Sequence, residues 1–187
     1  MRRKLIPIAL VAALVAGCGT TESATRSDKT STCGHVGLRA ADLGLKRTRE
    51  LTLCLLNKER ARQGVGPLRY DVRLEAASQV HSDDMVARRF FEHDTPEGVE
   101  PYARMAAVGY PATNAFTGEN LAWGEGAESA PAEIVDTWMH SPPHREAILH
   151  PQYSEVGVGV AFGGPETDPD GTPAATYTTD FGGPPIR

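Results

Sequence analysis

Six histidines and three cysteines are the side chains of this 187-residue chain best suited to metal binding or proton transfer near neutral pH. His140 and His144 stand four apart, the spacing that puts two imidazoles on one helix face. Pro142 and Pro143 lie between them, so a continuous helix cannot carry both. His81 falls on the inward face of an expected helix and reads as a core histidine bonded to a neighbour. His35 lies in an N-terminal extension and His150 in a helix-ending His-Pro, and both read as structural or solvated. His93 and His144 are different. Each sits beside proline in a non-helical or helix-starting segment, where loops present side chains at a surface. Glu119, within Gly118-Glu119-Asn120, occupies another such loop. Sequence alone leaves open whether these three meet in space. The usual signatures of nucleophilic, phosphate and dinucleotide chemistry are missing: no G-x-S-x-G elbow, no P-loop, no dinucleotide glycine pattern and no H-E-x-x-H.

The elements that must position these residues are legible as changes of period. From about Asp42 the pattern is helical, with Leu51, Cys54, Leu55 and Lys58 on one stripe and Gly64 as the C-cap. Asp71 can N-cap a second helix whose inner face includes Leu74, Ala77, His81 and Met85. The Phe90–Pro96 segment leaves that helix, because the residue before a proline avoids helical dihedrals. A short helix is expected from Val99 to Val108, stopped by Gly109. Gly118 to Gly124 reads as loop into short strand. Another helix starts near Ser129 and Pro131 and carries Ile134, Val135, Trp138 and Met139. Ser141-Pro142-Pro143 ends it, and His144 to Leu149 forms a further turn or two. The period then becomes two. Val156, Val158, Val160 and Phe162 share one face, and Gly157 and Gly159 leave the other bare for close approach of a neighbour. With Ala175 to Phe181 this predicts an antiparallel hairpin. Helices first and strands last point to an α+β fold with helices packed on an antiparallel sheet.

Length and composition (40% hydrophobic, 23% charged) fit one globular domain with a real core. Met1 to Lys4 is basic and Leu5 to Gly17 is apolar, thirteen residues, too short to span a bilayer and suited to a secretory signal. The run ends Val15-Ala16-Gly17-Cys18, which resembles the lipobox of bacterial lipoproteins. That resemblance implies cleavage before Cys18 and a lipid on its thiol. The chain would then be tethered outside the cytoplasmic membrane, or released to the medium. Export leaves Cys33 and Cys54, an even pair in an oxidising compartment, and a disulfide between them is the favoured reading. Gly19 to Thr32, rich in Ser and Thr, reads as a flexible spacer. The expected organisation is a signal peptide over 1–17, a tether and extension over 18–41, and a domain over 42–187. The net charge is −5, and without Arg2, Arg3 and Lys4 the remainder carries 16 bases against 24 acids. No nucleic-acid partner is expected of such a surface.

Leu56-Asn57-x-x-Arg60, Pro67-Leu68, Ala76-Ala77-x-x-x-His81-Ser82-x-x-Met85 and Phe91-x-His93-x-x-Pro96-x-Gly98 occur in that order. They are followed by Arg104-x-x-x-x-Gly109-Tyr110, Gly118-Glu119-Asn120-Leu121-Ala122, Trp138-Met-x-Ser141-Pro-x-His144-Arg145, Val156-Gly157-Val158-Gly159 and Tyr177-x-x-Asp180-Phe181-Gly182. Together they resemble the CAP superfamily (cysteine-rich secretory proteins, antigen 5 and pathogenesis-related-1 proteins) in its bacterial SCP-like branch, over Leu51 to Gly182. The resemblance implies a three-layer α-β-α sandwich with a central antiparallel sheet. It also implies an open groove that in eukaryotic members holds two histidines and two acids, some binding zinc through the histidines. By motif His93 and His144 match the histidines and Glu119 one acid, with Asn120 beside it in the groove. The second acidic place is Ser141, so the set is incomplete, and neither Asp136 nor Glu146 is marked as its substitute. Zinc on His93 and His144 is the implied cofactor. Glu119 could be a third ligand, a general base on bound water, a tautomer-fixing partner or a cap of its own loop. The expected function is a groove that binds a lipid, a cell-wall fragment or a surface protein. The alternative is a zinc-assisted hydrolase or peptidase using His93, Glu119 and His144.

Overall fold

The computed structural model describes residues 33–112, 115–166 and 171–185. The leader, Cys18 and the spacer to Thr32 lie outside the described residues. Helices α1 (Ala40–Leu43), α2 (Leu45–Arg62), α3 (Val72–Arg88), α4 (Pro101–Ala107), α5 (Pro131–His140) and α6 (Pro142–Leu149) surround strands β1 (Arg69–Tyr70), β2 (Ala115–Glu125), β3 (Glu155–Phe162) and β4 (Ala174–Pro185). The strands form one sheet in the order β1-β3-β4-β2.

The expected β3–β4 hairpin is present, and β2 pairs antiparallel on the other side of β4. Two-residue β1 adds in parallel to β3, which makes the sheet mixed. β2 is eleven residues long, far more than the short strand expected around Gly118–Gly124. Glycine weakens strand preference locally, but here it admits neighbours. A Cβ at Gly118 would stand 2.5 Å from the Tyr153 hydroxyl, and one at Gly124 2.4 Å from the Glu128 carbonyl oxygen. Pairing along β4 overrides the local propensity.

Alternation sorts the sheet into two faces. Val156, Val158, Val160, Tyr177 and Phe181 turn toward α2, α5 and α6, where Leu56, Trp138 and Ile148 complete the main core. Phe162, expected to join the valines, is 47% exposed at the strand end. On the other face Gly157 and Gly159 meet α3 directly. A Cβ at Gly157 would come within 2.0 Å of the Leu74–Glu75 backbone, and one at Gly159 within 2.2 Å of Ser78. Leu74 and Ala77 continue from there into a second cluster with Met105 and Tyr110. Helices on both faces of one sheet give the three layers.

Local signals act as expected at several ends. Asp71 accepts from the Arg73 and Leu74 amides at 2.8 and 3.2 Å and caps α3. Gly64, at φ 70°, follows α2 where a left-handed residue is needed. The α2 stripe differs from its expectation, since Lys58 is exposed and the buried cation is Arg60. Its guanidinium donates to the carbonyls of Gly66, Ile148, His150 and Tyr153, tying α2 to the end of α6. Pro142 and Pro143 end α5 but open α6, because a proline in the first turn has no N–H to lose. Cys33 and Cys54 are disulfide-bonded, with Cα atoms 5.9 Å apart.

Candidate functional site

His93 leaves the chain just past α3, in the segment that Pro96 keeps out of helix. Its ring reaches the first half of β2, and Nδ1 lies 2.7 Å from Glu119 Oε1. A carboxylate only accepts, so Nδ1 carries the hydrogen and Nε2 is the free lone pair of the neutral ring. The His93 side chain is 53% exposed, whereas that of Glu119 is 2% exposed. The imidazole is therefore the face of the pair, and the carboxylate its support. The bond to Glu119, opposed in part by burial, holds His93 above the ordinary imidazole value of 6.5.

The second oxygen of Glu119 is also taken. Arg104, in α4, donates Nη2 to Oε2 at 2.5 Å and Nη1 to the carbonyls of His93 and Val99 at 2.7 and 3.0 Å. One guanidinium thus fixes the carboxylate, the His93 backbone and the entry to α4. Sequence reading quoted Arg104 within a motif but gave it no role. The available signal was a lone arginine in a short, otherwise apolar helix, three residues after the proline that opens it.

His144 comes from the first turn of α6 and makes no hydrogen bond to His93 or Glu119 among those of the described residues. Burial, then the nearby His93 charge, push it below 6.5, so its ring is neutral. Its Nδ1 is buried without a partner. Asn120 is 1% exposed, and as the next residue on β2 it faces away from Glu119. Its Nδ2 donates to the His144 carbonyl at 3.0 Å, so it supports the His144 turn from beneath. Ser141, where the second acid is expected, links α5 to α6, and its carbonyl accepts the Arg145 amide at 2.9 Å. Asp136 pairs with His140 at 3.3 Å, both well exposed. His81 is buried, donates Nε2–H to the Glu92 carbonyl at 3.0 Å and packs edge-on to Phe90.

The donor set does not fit a zinc site of three protein ligands. Both oxygens of Glu119 are committed, and no group of three or more His, Cys, Asp or Glu among the described residues is arranged to hold a metal. His93 instead stands between two open pockets. One, about 480 Å3, is bounded by Phe90, Glu92 and Thr95. The other, about 300 Å3, is bounded by Asp94, Glu100, Tyr102, Thr117 and Gly118. A larger hollow of about 550 Å3 lies along α6 beside His140 and His150 and includes neither His93 nor Glu119.

Comparison with known proteins supplies the wider context. YkwD of Bacillus subtilis is 36% identical over 110 residues, which take in 59% of this chain and 41% of YkwD, so the match spans less than half of that relative. Among solved structures, an extracellular SCP-domain protein of Bacillus anthracis superimposes with a TM-score of 0.61 at 24% identity, over 76% of this chain and 41% of that one. An outer surface protein of Borrelia burgdorferi gives a TM-score of 0.58 at 20% identity, over 74% and 93%. At those identities the likeness is one of fold. The cysteine-rich secretory protein family model matches residues 53–179. That stretch includes all three layers and the His93–Glu119–Arg104 constellation, and the chain belongs to the cysteine-rich secretory protein (CAP) family.

Proposed function

We propose that the protein is an extracytoplasmic binding module whose His93 groove takes a polar fragment of the cell wall. The observation that carries this reading is the half-exposed imidazole of His93, its tautomer set by a carboxylate that is itself buried and paired. Such an arrangement presents a fixed hydrogen-bonding nitrogen without a free acid beside it. The rim is polar and partly aromatic: Asp94, Glu100 and Thr117 supply acceptors or donors, and Tyr102, 47% exposed, offers a ring face. Hydroxyls, amides and amines suit that lining better than an acyl chain does. The extracellular and outer-surface relatives support a location outside the cytoplasm. No helix among the described residues is long and apolar enough to cross a membrane. Attachment through a lipid on Cys18 is part of the same proposal and would keep the groove near the membrane side of the wall, where raised local concentration strengthens weak contacts.

Calorimetry with soluble peptidoglycan fragments tests this, using phosphatidylglycerol vesicles as the comparison ligand. Fragment binding to the wild-type chain is expected to weaken about tenfold in Tyr102→Ala, the usual cost of losing an aromatic contact. Vesicle binding with no response to fragments overturns the reading in favour of lipid. The hydrolase alternative draws on one observation, the free Nε2 of a carboxylate-backed histidine. Incubating the same fragments and following them by mass spectrometry tests it. Products that vanish in Glu119→Gln would turn a binding groove into a catalytic one.

A further inference from the structure

The motif Trp138-Met-x-Ser141-Pro-x-His144-Arg145 ends on a residue that the His93 groove does not use. Arg145 is exposed on α6. Among the described residues its guanidinium makes no ion pair, hydrogen bond or ring contact. Every other described arginine has a partner: Arg60 holds carbonyls, Arg88 two carboxylates, and Arg104 a carboxylate and two carbonyls. Arg145 borders the hollow of about 550 Å3 in the corner between α5 and α6. Pro142, Arg145, Glu146 and Leu149 recur at the spacing of one helix face, and the end of α5 adds Met139. Met139 and Leu149 pack half-buried on the main core, so the floor is apolar. The two imidazoles at its edge are occupied elsewhere. His140 turns Nδ1 back to the Asp136 carbonyl at 2.9 Å, and His150 lies over Tyr153 with ring centroids 4.5 Å apart. The permanent charge of the hollow is therefore that of Arg145, opposed by Glu146 at the same rim.

We propose that this hollow is a second binding site, separate from the His93 groove, for a carboxylate carried on an apolar body, with Arg145 as the residue that recognises the charge. A guanidinium presents a planar fork of N–H donors that matches the two oxygens of a carboxylate. Beside apolar walls that pairing is stronger than in open water. Met139 and Leu149 receive the apolar part, and the volume suits a body of one or two amino-acid residues. Glu146 sharpens the choice. One cation facing one anion at the rim leaves room for a single negative charge and disfavours a doubly charged phosphate. A free organic acid and the C-terminal residue of a peptide share this chemistry. The site goes beyond the reading of the groove and does not depend on it.

The test is a methyl-detected NMR titration of the full chain with N-acetyl-leucine, its neutral amide, inorganic phosphate and the tripeptide Gly-Gly-Leu. N-acetyl-leucine is expected to move the Met139 and Leu149 methyl signals, and the amide to bind about tenfold more weakly or less. Acid and amide binding alike would reveal a merely greasy hollow and overturn the proposal, as would no shift at all. Phosphate binding as well as N-acetyl-leucine overturns it too, since the apolar floor would then do nothing. Arg145→Met should weaken N-acetyl-leucine about tenfold, with Arg145→Lys between it and the wild type. The guanidinium holds nothing else, so neither change should disturb folding, and an unchanged affinity in Arg145→Met overturns the assignment. Glu146→Gln removes the opposing charge and should tighten binding about threefold, whereas weaker binding there contradicts recognition of an anion. Gly-Gly-Leu binding as tightly as N-acetyl-leucine identifies peptide ends as the source, and its exclusion identifies free acids. Tyr102→Ala, which probes the groove, should leave the titration unchanged. Shifts at Tyr102 and His93 with Met139 and Leu149 still would put the acid in the groove and overturn the second site.

Discussion

Glu119 joins two cations of different kinds, a permanent one on Arg104 and a conditional one on His93. Replacing it with Gln removes the charge while keeping the shape. The His93 midpoint should then fall toward 6.5, because the bond to Glu119 is the main cause of its elevation, and an NMR titration reads this directly. The sign of the stability effect follows from linkage. A histidine whose folded value is raised contributes fully below its unfolded value near 6.5. That contribution is lost as pH rises through the folded value. His144 works in the opposite sense. Its folded value is depressed, so acid must protonate a ring that the fold keeps neutral, and stability falls as pH drops below the unfolded value. Urea unfolding across pH 5 to 8 should show the His93 part disappear in Glu119→Gln and the His144 part persist. The histidines were legible from their proline-flanked segments. Arg104 was given no role, because a motif carries no record of the carboxylate and carbonyls that one guanidinium reaches.

At the scale of elements, the close contact between α3 and the glycine face of β3 sets the height of the layer above Glu119 and Asp180. Gly157→Ala would put a methyl group inside the Leu74–Glu75 backbone. It should cost about 1–3 kcal/mol or more, since a backbone neighbour cannot swing aside as a side chain can. Chemical denaturation measures the loss. Arg60 is the corresponding tie on the other face. Arg60→Met leaves four carbonyl acceptors without their donor. A loss of about 3 kcal/mol or more is expected from the same measurement, because unpaired buried acceptors carry their full desolvation penalty. Period and caps made α3, α5 and the β3–β4 hairpin readable in advance. β2 was read short and β1 was not seen. Both owe their extent to strands distant in sequence, and neither glycine content nor two residues of chain can reveal a pairing partner.

Across the whole molecule, the Cys33–Cys54 bridge closes a loop of sequence separation 21 and pins the N-terminal extension to α2. The Val36 carbonyl continues that attachment by accepting the Ala132 amide at the start of α5, at 3.0 Å. Reduction with dithiothreitol, or the double change Cys33→Ser with Cys54→Ser, should lower stability by about 3 kcal/mol in the chain-entropy account. Denaturant midpoints with and without reductant check it. An unchanged midpoint would mean that the non-covalent contacts of the extension already restrain it.

The linear sequence by itself determined the fold class, the family and the disulfide pair. These depend on side-chain period, local dihedral preference and residue type, all of which are written along the chain. Only the tertiary structure decided that Glu119 faces inward onto Arg104, that Asn120 turns to the opposite side, and that Asp180 lies buried opposite Glu119 on β4. Strand alternation and cross-strand register fix those relations. Register is settled by the packing of α3 and the main core together, between residues up to about a hundred positions apart, such as Ser78 and Asp180.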